Sequence, residues 1–80
     1  MTISLLLHVA GEEPIVVDVE ELPDPKDQFI FGSNPRYRDG KEVRNLLPEV
    51  NQVIFPWWRI NFIEILPGKE DEEIYGFYRE

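Results

Sequence analysis

One proline constrains this chain more than any other residue. It stands at position 56 within Val53-Ile54-Phe55-Pro56-Trp57-Trp58-Arg59-Ile60-Asn61-Phe62-Ile63-Glu64-Ile65, the strongest apolar run in the sequence. Proline has no backbone N–H and a fixed φ, so it breaks a helix and cannot occupy the middle of a hydrogen-bonded sheet. The run therefore reads as strand material with an edge, a bulge or a corner at Pro56. Beyond it Trp58, Ile60 and Phe62 fall on one face at period two, with Trp57, Arg59 and Asn61 on the other. The parity then switches, because Ile63 and Ile65 are apolar while Glu64 is not. A bulge or a bend between packed layers accounts for the switch.

The rest of the chain follows the same logic. Ile3, Leu5, Leu7 and Val9 alternate along one strand, and Ile15, Val17 and Val19 along a second, with the polar loop Ala10 to Pro14 between them. The two are expected to pair antiparallel. Leu22-Pro23-Asp24-Pro25 bars both helix and central strand, and Gln28 to Phe31 resumes an extended segment. Gly32 to Lys41 is expected to turn, with Asp39-Gly40 as a hairpin dipeptide. Val43 to Val50 is consistent with a short strand or one helical turn before Pro48. Pro67 to Glu73 reads as a solvated loop and Ile74 to Tyr78 as a closing strand. No internal repeat occurs.

Composition narrows the options. Eighty residues with 42% apolar content suit one small domain with a packed interior. Without cysteine there is no disulfide, thiolate metal site or thiol nucleophile, which fits a reducing compartment, and a cytoplasmic location is expected. Charge or proline interrupts every apolar stretch well before membrane-spanning length, and the first residues lack the basic start of a signal peptide, so no membrane association is expected. The net charge of −8 is unevenly spread. Residues 1–31 hold seven acids against Lys26, residues 32–63 hold five basic groups against three acids, and residues 64–80 hold six acids against Lys69 and Arg79. The overall field repels polyanions and disfavours RNA; only the middle segment offers a phosphate anything.

Val53-Ile54-Phe55 followed by Trp58-Arg59-Ile60-Asn61-Phe62-Ile63 resembles the second motif of Sm-like small β-barrels, an apolar strand running through an Arg-Gly corner into an Ile-spaced strand, with Arg59 at the Arg position and Ile60 in place of the Gly. Broader SH3-like barrels are similar in outline. The resemblance implies ring-like self-assembly through strand edges and RNA contact.

Candidate site residues form two groups. Arg36, Tyr37, Arg38, Lys41 and Arg44 lie on an arm that can grip phosphates and stack a base, or else form salt bridges with Asp39, Glu42 and the acidic remainder. In the aromatic corner, Trp57 reads either as an exposed stacking surface or interface anchor, with Arg59 a candidate phosphate contact, or as an indole capping the barrel together with Trp58. The lone His8 has no second histidine or cysteine to share a metal, and Glu70 to Glu73 lacks a calcium-loop pattern, so no metal or other cofactor is expected. Ser4, Ser33 and Thr2 sit in no nucleophile elbow, and no glycine-rich phosphate loop or small-molecule site is evident.

These observations predict an all-β fold: a small five-stranded, strongly bent antiparallel barrel with short loops, forming one domain over residues 1–80 with a hairpin arm around residues 33–44. The expected function is non-enzymatic: a self-associating barrel that binds or scaffolds a partner. The alternatives are an Sm-like RNA-binding ring protein and an accessory subunit of a larger complex.

Overall fold

The computed structural model describes residues 2–67. The expected strand at residues 74–78 and the acidic loop before it lie outside the described residues. Among the described residues five strands form one antiparallel sheet: β1 (Ile3–Val9), β2 (Ile15–Val19), β3 (Phe29–Tyr37), β4 (Gln52–Pro56) and β5 (Ile60–Ile65). Their order across the sheet is β4-β3-β2-β1-β5. A single 3₁₀ turn, Trp57–Arg59, links β4 to β5. The sheet curls strongly into a half-barrel, as the sequence predicts for an all-β chain of this pattern. No helix among the described residues is long and apolar enough to cross a membrane.

Alternation accounts for β1 and β2. Leu5 pairs with Val17 and Leu7 with Ile15, so one face of the hairpin is aliphatic throughout. Leu5, Leu7 and Val17 are fully buried on the concave side, joined by Val9, Ile15, Val19, Ile30, Tyr37 and Val43. Ile3, Leu46, Val53, Phe55, Trp57, Ile60 and Ile63 pack around this centre. On the convex side Leu6 and Val16 face each other, both buried.

β3 differs from expectation. Gly32 to Tyr37 was expected to turn, yet the strand runs through it and bends instead of ending. Its first half pairs with β4 and its second half with β2, and the register slips by one residue between Val16 and Asp18. Asn34 takes the strain with φ of 54°, a left-handed conformation that asparagine tolerates better than most residues. Gly32 makes the bend close: a Cβ there would lie 2.7 Å from Cβ and Cγ2 of Val17. Turning is deferred to Asp39-Gly40, where Gly40 has φ of 88° and donates its N–H to the Tyr37 carbonyl.

Two further expectations change. Residues 43–50 form neither strand nor helix but two successive turns, closed by Leu46 N–H to Val43 O and Val50 N–H to Leu47 O. The apolar run around Pro56 is two strands on opposite edges of the sheet, because the corner at Trp57–Arg59 carries the chain from one edge to the other. Trp58, Ile60 and Phe62 therefore do not share a face. The register of β5 on β1 shifts between His8 and Val9, which leaves Asn61 as the extra residue. Ile60 and Ile63 turn to the core, and Phe62 turns outward onto His8, with ring centroids 3.9 Å apart.

Candidate functional site

The corner is fixed at both ends by backbone hydrogen bonds. Trp57 N–H donates to the Gln28 carbonyl at 3.0 Å, and Ala10 N–H donates to the Arg59 carbonyl at 2.7 Å. The Arg59 guanidinium returns to the Ala10 carbonyl at 3.1 Å and lies 5.8 Å from the centre of the Trp58 ring. This staple separates the two indoles. Trp57 packs on the core, and its Nε1–H is buried with no partner among the described residues. Trp58 is 79% exposed. The reading of Trp57 as the displayed ring is thus reversed, and so is the reading in which both indoles cap the interior. The 3₁₀ geometry turns the second ring to solvent.

Beside Trp58 lies a groove of about 350 Å³, floored by Val9, Ile15, Val43, Leu46 and Phe55 and rimmed by Glu12, Asn45 and Arg59. It is an apolar cleft with polar groups only at its margin, the general character of a binding site. Nothing in its lining pairs a nucleophile with a base.

A second surface was not foreseen. On the outer face of β3 and β4, Phe31 stands directly opposite Ile54 and Phe29 opposite Pro56. Phe29, Phe31 and Ile54 are each about half exposed, at 49%, 53% and 56%. From Asn51 to Trp58 no residue is charged, in a chain where 30% of residues are. The sequence signal is Val53-Ile54-Phe55, three apolar residues in a row that do not show which parity faces out.

The basic residues that are close in sequence are dispersed in space. Arg36 lies on the convex face and donates to Asp18 Oδ1 at 3.2 Å and to the Asn34 carbonyl at 2.8 Å. Arg44 donates to Glu13 Oε1 at 3.1 Å and stacks 5.0 Å from the centre of the Tyr37 ring. Tyr37 itself is buried, and its hydroxyl accepts the Arg44 N–H. Arg38 and Lys41 are exposed at the Asp39-Gly40 turn. The segment expected to form an arm therefore folds back on its own barrel through Tyr37 and Val43.

Asp18 organises the convex face. It accepts from Ser4 Oγ at 2.8 Å, from Arg36 and from Asn34 Nδ2 at 3.3 Å. Burial alone would raise its carboxyl, but these three donors outweigh burial and hold it below the ordinary value. Nearby, His8 Nε2 lies 2.7 Å from Glu64 Oε1, linking β1 to β5. No group of three or more metal-ligating side chains occurs among the described residues.

Compared with protein-family models, with curated proteins and with solved structures, the chain matches none of them.

Proposed function

We propose that this chain is a non-enzymatic small β-barrel, of the Sm-like or SH3-like kind, that self-associates and serves as a binding or scaffolding module. The observation that carries this reading is the exposed apolar surface of Phe29, Phe31, Ile54 and Trp58 on a molecule of net charge −8. Contiguous exposed apolar surface on a soluble domain marks a place where something else sits. The strand order, with β4 and β5 at the two edges and a 3₁₀ corner between them, supports the barrel kinship. The groove beside Trp58 supports a binding role. Arg36, Arg44 and Arg59 are engaged within the chain, which favours a protein partner over a polyanion.

Size-exclusion chromatography with light scattering tests self-association, and a clean monomer at high concentration would overturn it. Titration with short RNA at low salt tests the choice of partner. Tight binding there would reverse the preference for protein.

A further inference from the structure

We infer that the self-association takes the form of a two-fold dimer in which β4 of one copy pairs antiparallel with β4 of a second. The inference deepens the proposed function and rests on its claim of self-association. Its starting point is the backbone of the open edge. Asn34 N–H donates to Asn51 O at 2.7 Å at one end of the β3–β4 ladder, and Trp57 N–H to Gln28 O at 3.0 Å at the other. In an antiparallel pair bonded and non-bonded residues alternate. The register between those two bonds makes Val53 and Phe55 the residues bonded to β3. Gln52 and Ile54 therefore direct their N–H and C=O away from the sheet. β4 is the terminal strand, and the two residues are themselves exposed. Among the described residues no hydrogen bond satisfies those groups.

Open edges are normally guarded by charge, by proline or by a bulge. β5, at the other edge, carries Glu64 and the irregularity at Asn61. β4 has only Pro56, at its end. β4 itself carries no charge, so two copies can pair along it without opposing carboxylates within the paired strands, while Asp18 and Glu20 near Gln52 and Asp27 near Pro56 stand to the side. Pro56 also sets the register. It cannot donate, so the pairing that uses both the N–H and the C=O of Gln52 and of Ile54 places Gln52 opposite Ile54 of the second copy, with the two-fold axis at Val53. Ile54 of each copy then becomes a diagonal neighbour of its equivalent, and the exposed rows of Phe31 and Ile54 join across the axis. A two-fold pairing closes on itself and leaves no further copy to add. An interface of one short strand is small beside a standard one of about 800 Å² per partner, so the dimer is weak and depends on concentration.

The test combines light scattering with amide hydrogen exchange on the unaltered chain at low and high concentration, and repeats the scattering on Ile54→Lys. The expected result is a dimer mass at high concentration, slowed exchange at Gln52 and Ile54 only there, and loss of the dimer in I54K with an unchanged melting temperature. A monomer at every concentration would overturn self-association itself. A dimer that survives in I54K, or one that leaves the Gln52 and Ile54 amides unprotected, would overturn the β4 pairing while sparing self-association. A larger assembly would overturn the two-fold.

Discussion

Gly32 and Asp18 set the shape of β3 from opposite faces of the sheet. On the concave side, the missing side chain at Gly32 lets β3 approach Val17, which is fully buried and β-branched and so cannot move aside. Gly32→Ala is expected to destabilise by about 2 kcal/mol through overpacking. In a domain of this size that amounts to a fall of roughly 10 °C in Tm, measurable by thermal unfolding. On the convex side, Asp18 gathers Ser4, Asn34 and Arg36 around one carboxylate. A carboxyl held low in the folded state stabilises the fold above its unfolded value, and the contribution disappears as pH falls through the folded value. Asp18→Asn should therefore lower Tm at pH 7. Because the ordinary value is 3.8, the gap between variant and parent should begin to close as pH drops through that point and vanish at lower pH. A gap that persisted into strong acid would show that hydrogen-bond geometry, not charge, is what Asn fails to supply.

The 3₁₀ corner assigns the two tryptophans opposite roles at the level of elements. Trp58→Phe should remove most of the fluorescence accessible to a soluble quencher with little change in stability, since Trp58 projects into solvent. Trp57→Ala should cost about 3–5 kcal/mol, because it empties space against the core. Steady-state quenching and thermal melts separate the two. How much of this could be read in the sequence differs from element to element. β1 and β2 are legible because four and three aliphatic residues alternate without interruption, and the corner is legible because Pro56 forbids anything smoother. The bend in β3 is not. Gly-Ser-Asn-Pro carries the local chemistry of a turn, and only pairing with two different strands reveals that the same chemistry has been used to curve one. The apolar face of β3 and β4 was missed for a related reason, since an unbroken apolar run has no sign until its partner strand is known. The basic residues of positions 36–44 looked like a cluster because proximity in sequence hides the divergence of a strand and the turns beyond it.

For the whole molecule, charge and apolar surface oppose each other. A net charge of −8 on 80 residues repels a second copy, while the proposed pairing of the uncharged β4 edge would draw it in. Added salt shortens the reach of the repulsion and leaves the apolar contact intact. Self-association should accordingly strengthen from low to moderate ionic strength, read as a rising weight-average mass at fixed concentration. Binding dominated by cations on a polyanion would weaken over the same range. The architecture also fixes when the fold can be completed. β1 finds one neighbour in β2 close by in sequence, but its other neighbour is β5, and the His8–Glu64 link spans 56 positions. During synthesis on a ribosome the N-terminal strand thus emerges long before the segment that covers its far side. Closing so wide a loop comes late and slowly, so the oily flank of the β1–β2 hairpin waits, half-clothed, for β5 to arrive.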